Sequence, residues 1–416
     1  MPIGEVVTYS ITFLAVYVQI FMLVTFLERR RDLKAVEGLP VPTLSHYPKV
    51  AIIVPCWNEE KTVHGTVASL LALDYPHDRL EVIVVDDGST DTTWSEILKY
   101  KDNPRVRIFQ KENGGKHTAV NFGIDHTDAD LIGCLDADSF VMSDALKYMV
   151  DAFNNHPDIM ATAPTMIIHN PKNMLQYAQR VEYNMSAYNK KMLSFMNAIH
   201  VTPGPFSIFR KEVFQVIGKF KKAHGTEDQE IAYRMQEHHM RIYHCHQSIV
   251  YTSSPDTVKK LYKQRLRWIY GFIQNTIDYR RLIFKTKHGN FSFFTLPSGV
   301  ISIVAVVYLS FALAYNFVVF LIKKITQLSI VGWNSSSIGF HFDAFFISTR
   351  TIVFVEVIIY GLVIFSIIAG TKITGQKKKI DWHVIPYILV YTLIAPFWLL
   401  KAVWNTIWGR RQPAWR

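Results

Sequence analysis

Leu135 to Ser139, the stretch LDADS, sets Asp136 and Asp138 one residue apart directly after the apolar run from Asp130 to Leu135. Like charges held that close repel, so the pair calls for a cation or a reaction that uses it. An Asp-x-Asp at a strand end suits a hard divalent ion, Mg2+ or Mn2+, whose other positions go to phosphate oxygens and water. Read alone, the same residues also make an ordinary turn, because Asp and Ser favour turns and caps.

Neighbouring clusters shift that balance. Asp86 and Asp87 open the stretch DDGST, where a carboxylate can accept from ribose hydroxyls or a base N–H and Gly88 permits close backbone approach. As a bare turn it would leave Ser89 or Thr90 to cap the next helix. Lys116 follows Gly114 and Gly115 at a helix start, an arrangement that turns backbone N–H groups and an ammonium toward a phosphate. Its spacing is not that of a Walker A loop, which disfavours a P-loop ATPase. Glu59 lies in PCWNEE at the end of another apolar run.

Thr226, Glu227 and Asp228 precede an amphipathic helix in a capping-type pattern. Asp228 is a candidate general base for an acceptor hydroxyl, with Glu227 and Asp138 as further candidate catalytic carboxylates. The plain alternative is a first-turn acid favoured by the helix dipole. In QRLRW, Arg267 can clamp a leaving diphosphate and Trp268 can stack on a sugar ring. Gln264 lies one turn earlier on the same face, and Arg265 joins these as a binding candidate. The alternative there is a snorkelling interfacial helix.

These residues need a scaffold, and the chain supplies an α/β one. KVAIIVP, LEVIVVDD, RVRIFQ and DLIGCLD alternate with helical stretches at Glu59–Leu73, Thr92–Lys101 and Lys116–Asp125. Continuous apolar runs separated by helices predict a doubly wound, mostly parallel sheet buried on both faces. Ligands bind such sheets beyond the carboxyl ends of the strands, and three of these strands end in the polar clusters just named. From Met160 to Tyr251 the pattern is less regular, with a long helix near Met174–Met196 and the Gly/Pro-rich VTPGPFSIF. Thr257 to Phe284 mixes basic and aromatic residues, as an interfacial helix does.

The composition, 49% hydrophobic and only 19% charged, fits a membrane protein carrying a soluble domain. Val6 to Leu27 has no charged residue and is long enough for a hydrocarbon core roughly 30 Å thick. ERRRDLK follows at once, which places that end in the cytoplasm and rules against a cleaved signal peptide. Further apolar segments run from Leu296 to Ile322, Phe345 to Ala369 and Val384 to Leu400, with Lys377, Lys378 and Lys379 after the second. The last holds Pro386 and Pro396 and ends in WGRRQPAWR, so a re-entrant or interfacial segment competes with a full crossing. Juxtamembrane basic residues account for most of the net charge of +11, which removes the case for nucleic acid. Cys56, Cys134 and Cys245 are widely spaced in apolar contexts, as reduced core residues of a cytoplasmic domain are. The expected division is a transmembrane helix and basic flank at 1–33, a catalytic domain at 45–255, interfacial helices at 256–290 and a membrane region at 291–416. The expectation is a multi-pass protein of the cell membrane with a cytoplasmic catalytic domain.

The ordered set PCWNEE, DDGSTD, GGK, DAD, TED and QRLRW resembles the processive family-2 glycosyltransferases. These include cellulose, chitin and hyaluronan synthases and, nearest in size and layout, bacterial poly-N-acetylglucosamine synthases. The resemblance implies an inverting GT-A fold that polymerises a UDP-sugar, most closely UDP-N-acetylglucosamine, onto a growing polysaccharide and couples synthesis to export. It implies that Asp87, with Asp86 and Glu59, holds uridine and that Lys116 holds the diphosphate. Asp136 and Asp138 would coordinate UDP and the metal, and Asp228 would be the base. Gln264 and Arg267 would bind diphosphate, and Trp268 would lie beneath the acceptor sugar at a channel mouth. TPGPFS stands where the family has its acceptor loop, which leaves hyaluronan-, chitin- or cellulose-type products as alternatives, beside single transfer to a lipid acceptor. WGRRQPAWR resembles the family's Trp/Arg gating loops. The single amino-terminal span leaves room for a small membrane partner subunit beside the surrounding lipid.

Overall fold

Among the described residues, the β-branched runs form eight strands: β1 (Val50–Cys56), β2 (Leu80–Asp86), β3 (Val106–Gln110), β4 (Leu131–Cys134), β5 (Ser139–Val141), β6 (Ile159–Ile168), β7 (Ser207–Arg210) and β8 (Arg241–Thr252). The helices are α1 (Ile3–Glu28), α2 (Arg30–Ala35), α3 (Val63–Leu71), α4 (Thr93–Leu98), α5 (Lys116–Asp125), α6 (Ala145–Asn155), α7 (Met174–Phe195), α8 (Lys211–Ile217), α9 (Glu227–Glu237), α10 (Val258–Asp278), α11 (Leu296–Val331), α12 (Thr351–Ile373) and α13 (Val384–Ile407). This computed structural model describes residues 3–331, 351–376 and 382–409. Lys377 to Lys379, the start of the apolar segment at Phe345 and residues 410–416 of the terminal stretch lie outside the described residues.

All strands join one eight-stranded sheet in the order β3-β2-β1-β4-β7-β6-β8-β5. The first four are parallel, as the alternating pattern predicts. Beyond β4 the sheet is mixed, with β7 antiparallel to both β4 and β6, β6 parallel to β8, and β5 antiparallel to β8. Along β1 and β2, alternate side chains enter two cores: Ile53, Ile83 and Val85 pack with Ala119, Val120 and Ile124 of α5, while Ile52, Val82 and Val84 pack with Val63, Val67 and Leu70 of α3. Each fully buried side chain of this kind contributes about 1.5–3 kcal/mol, so both faces hold the strand ends rigidly.

Strand order reverses between β1 and β4, and there the two strands part. Leu135 still donates to Ile53 O, at 2.9 Å. Pro55, two residues on and directed to the same side, has no N–H to offer, and β4 has ended at Cys134. The parting opens a crevice at the switch point, where doubly wound sheets bind ligands. Asp136 and Asp138 therefore occupy the link between β4 and β5 rather than the end of a longer strand.

Among the described residues, four helices are long and apolar enough to cross a membrane: residues 6–28, 291–327, 354–373 and 384–407. Phe21 stacks on Phe294 with centroids 4.7 Å apart, and the Thr8 and Tyr308 hydroxyls are 3.2 Å apart, so α11 runs back along α1. Phe26 meets Phe365 edge-on at 5.4 Å and Lys372 reaches Glu37 at 3.3 Å, so α12 runs in the direction of α1. The last segment is one unbroken helix through Pro396, which removes a backbone donor without ending it. It lies alongside α10, with Gln274 Nε2 3.3 Å from Thr406 Oγ1 at one end and Arg265 Nη2 3.3 Å from the Tyr391 hydroxyl near the other.

Candidate active site

Gly115, with φ 91°, turns the chain into α5 so that Lys116 is its first residue. The Lys116 ammonium forms an ion pair with Asp136 Oδ1 and lies 3.8 Å from Glu227 Oε1. Residues from GGK, DAD and TED thus meet in one place. Gly204, from the Gly/Pro-rich loop, closes over them: a Cβ there would stand 2.5 Å from Lys116 Nζ and 3.1 Å from Asp136 Oδ1, so only glycine allows the approach. The loop is fixed by Thr202, whose N–H and hydroxyl both donate to the Asp228 carbonyl, at 3.1 and 3.0 Å. Lys116, Cys134, Gly204, Ser207, Glu227 and Asp228 line a small cavity here.

The electrostatics follow from this crowding. Burial opposes charge on Lys116, but Asp136 and Glu227 outweigh it and hold the ammonium above its ordinary pKa. Burial, then the charges of Asp136 and Glu59, push Asp138 up to about 6. Asp228 is likewise raised to about 6 by burial and by Glu227, against the pull of Lys116 and Arg267. Asp136 and Asp138 offer the hard oxygen donors a divalent cation prefers. Among the described residues no group of three or more His, Cys, Asp or Glu is placed to hold a metal alone. Two carboxylates would leave the remaining positions of such an ion to substrate oxygens and water.

Asp86 and Asp87 are turned to protein donors. Asp87 accepts from Lys111 Nζ at 2.6 Å, Gly114 N at 3.1 Å and Gly115 N at 2.8 Å, which shapes the glycine loop that presents Lys116. Asp86 accepts from the Ser89 hydroxyl and N–H and from Gln110 Nε2 at 3.0 Å. Ser89 is thereby removed from the capping role open to it in the sequence; α4 begins only at Thr93, whose hydroxyl donates to Asp91 and accepts from Glu59 N. Glu59 itself accepts from the Thr62 hydroxyl at 2.8 Å.

On α10 the QRLRW residues divide. Arg267 Nη1 donates to Gly225 O at 2.9 Å, and its charge bears on Asp228. Trp268 is half-buried, and Gln264 Oε1 is buried without a hydrogen-bond partner among the described residues. Arg265 points elsewhere, into an ion pair with Glu182 of α7, so the structure does not bring it to the Lys116 cluster. Glu182 was not marked by its surroundings in the sequence, since it sits in a helix of mixed polarity and its partner is distant in the chain. Thr226 also departs from expectation: its side chain makes no cap bond. Its hydroxyl donates to Ala223 O at 3.2 Å and accepts from Asn275 Nδ2 at 3.0 Å, and Gly271 lets α10 press directly against it.

Residues 51–218 match the family model described as glycosyl transferase family 2. The chain is 27% identical over 318 residues to the poly-beta-1,6-N-acetyl-D-glucosamine synthase of Staphylococcus epidermidis, covering 76% of this chain and 74% of that one. It is 31% identical over 224 residues to the synthase of the same name from Staphylococcus aureus strain COL, covering 53% and 54%. Among solved structures, a mannosyltransferase from Pyrobaculum calidifontis in complex with GDP-Man and Mn2+ covers 96% of this chain with a TM-score of 0.59 at 17% identity, a likeness of fold. The chain carries a family-2 glycosyltransferase domain of GT-A-like fold.

Proposed function

We propose that this family-2 glycosyltransferase is a membrane polysaccharide synthase that builds β-linked poly-N-acetylglucosamine from UDP-N-acetylglucosamine by inverting transfer and passes the chain outward. What carries the reading is the meeting of Lys116, Asp136, Glu227 and Asp228 under Gly204, beside the helix of Arg267 and Trp268. Similarity to poly-beta-1,6-N-acetyl-D-glucosamine synthases over three quarters of the chain supports the choice of sugar.

In this reading Asp228 accepts the proton of the acceptor hydroxyl as that oxygen attacks the anomeric carbon opposite the departing UDP oxygen, which inverts the configuration. A pKa of about 6 leaves Asp228 ionised yet basic near neutral pH. Glu227, close to Lys116, adds negative charge that keeps Asp228 basic. Lys116 and Arg267 bring positive charge to the diphosphate. Asp136 and Asp138 would hold Mg2+ or Mn2+, which when bound neutralises charge growing on the leaving group. Asp87 serves the uridine side by shaping the loop before Lys116, and Asp86 by holding Ser89 and Gln110, with Glu59 as the third carboxylate of that side. Gln264 keeps a buried acceptor for a substrate donor, and Trp268 is the platform for the acceptor sugar.

The proposed division keeps the catalytic domain at 45–255, between the flank at 1–33 and the helices at 256–290, with the membrane region at 291–416. Arg29, Arg30 and Arg31 at the end of α1 favour a cytoplasmic catalytic domain. The packing of α13 along α10 favours an interfacial rather than a crossing α13, which keeps the carboxyl terminus cytoplasmic. A small partner subunit would then complete the export path.

The test is a donor screen on the full chain in lipid nanodiscs, reading UDP release and product length with Mg2+ or Mn2+. Long polymer from UDP-N-acetylglucosamine is expected. Turnover of UDP-glucose alone would overturn the sugar, and a lipid-linked monosaccharide as sole product would overturn polymerisation.

A further inference from the structure

Arg265 shares its stretch of α10 with Gln264, Arg267 and Trp268 but is only 4% exposed, and its charge is committed away from the diphosphate side. Its Nη2 donates to Glu182 Oε2 on α7 and lies 3.3 Å from the Tyr391 hydroxyl on α13. Tyr391 donates to the same Glu182 oxygen. The guanidinium carbon lies 4.2 Å from the centre of the Trp268 ring, and Tyr391 is itself held edge-on to Trp398 at 5.9 Å. One carboxylate thus ties three helices together and fixes the cation that packs on Trp268.

The chemistry of the pair makes it directional. A guanidinium is planar and rigid; here Nη2 alone is hydrogen-bonded, to Glu182 and Tyr391, while Nε and Nη1 have no hydrogen-bond partner among the described residues, so the pair anchors one corner of the plane whose face packs on Trp268. With burial screening out water, the attraction between Arg265 and Glu182 is stronger than at a surface. Trp268 is one turn from Arg265, so α10 alone would leave its ring free to rotate about its side-chain bonds. The packed guanidinium removes that freedom by occupying one face of the ring.

We propose that Glu182 is a positioning residue of the acceptor site: through Arg265, with Tyr391 as second anchor, it sets the plane of Trp268 against which the acceptor sugar stacks. This rests on the reading of Trp268 as acceptor platform. Neither Glu182 nor Tyr391 belongs to the Lys116 cluster, so donor binding should be indifferent to both.

The test uses the full chain in nanodiscs with UDP-N-acetylglucosamine and a β-1,6-linked N-acetylglucosamine pentasaccharide as acceptor. For Glu182→Gln the acceptor KM should rise about tenfold with the donor KM unchanged, the scale expected for losing one desolvated cation–π contact. Tyr391→Phe should shift it less in the same direction. The double variant Glu182→Gln with Arg265→Gln removes the unpaired buried charge; it should recover the thermal stability lost in the single variant but not its acceptor KM. Recovery of both would show a merely structural pair and overturn the proposal, as would a fall in kcat with both KM values unchanged. If Glu182→Gln does not fold, Tyr391→Phe and the double variant carry the same decision. Trp268→Ala separates the two levels. A normal acceptor KM in that variant overturns the platform reading and this inference with it; a raised KM there beside a normal one in Glu182→Gln overturns this inference alone.

Discussion

The Lys116 ammonium is ion-paired with Asp136, so the cation that follows the double glycine rests on the first carboxylate of the Asp136–Asp138 pair. Lys116→Met should therefore weaken UDP binding about tenfold and lower turnover about 10²–10³-fold, as loss of a preorganised charge does. Calorimetry with UDP and steady-state rates check both, and unchanged UDP affinity would remove Lys116 from the diphosphate.

Asp136→Ala or Asp138→Ala should abolish metal-dependent turnover while the protein stays folded in the membrane. The check is activity after chelation and add-back of Mg2+ or Mn2+, beside a melting curve. Wild-type add-back curves in either variant would place the ion elsewhere.

Asp228 must be ionised to act as base, so kcat/KM should fall as pH drops through about 6, and Asp228→Asn should lose nearly all turnover. The stability consequence has a definite sign. A carboxyl whose folded pKa is about 6 against an ordinary 3.8 is protonated more in the folded than in the unfolded state between those values. Its contribution to stability is therefore lost as pH rises through about 6. The comparison with Asp228→Asn isolates it from other groups: the variant should melt higher than wild type at pH 7, and the gap should shrink at pH 5. A gap that widens on acidification would contradict the raised pKa.

Gly204→Ala should leave the fold nearly intact, because its Cβ meets the flexible end of Lys116 rather than backbone. It should nevertheless displace the ammonium from Asp136 and lower turnover more than about tenfold, within the scale for losing one preorganised charge. A melting temperature within a few degrees of wild type, with low turnover, is the expected pair of readings.

The proposed interfacial placement of α13 predicts that Trp408→Cys is labelled by a membrane-impermeant maleimide in inside-out vesicles and protected in right-side-out ones. Cys56, Cys134 and Cys245 are all buried, so the introduced thiol reports without background. Labelling from the outer face would make α13 a full crossing.

The parallel half of the sheet is legible in the sequence because β1, β2 and β4 are buried throughout or nearly so and therefore read as continuous apolar runs. The start of α5 is legible for a local reason too, since Gly115 adopts a positive φ that other residues resist. The mixed half is not, because β7 and β5 are short and their neighbours are set by tertiary packing. Within the site, local patterning suggests that the clusters of Glu59, Asp86 and Asp136 lie near one another, as strand ends converge, whereas Lys116 and Asp228, at helix starts, are joined to them only by the family resemblance. It cannot tell that Asp87 spends its oxygens on the glycine loop, or that the Thr226 hydroxyl serves α10 instead of capping α9. Arg265 shows the limit most plainly: its neighbours in sequence suggest phosphate, and its partners come from α7 and α13.

The contact of Gly271 and Asn275 with Thr226 joins α10, the helix of Trp268, to the residue just before Glu227 and Asp228. No loop or compressible side chain separates them at that joint. The proposed base, Asp228, and the proposed platform, Trp268, are thus tied to one joint, and their separation does not depend on how long the polymer has grown.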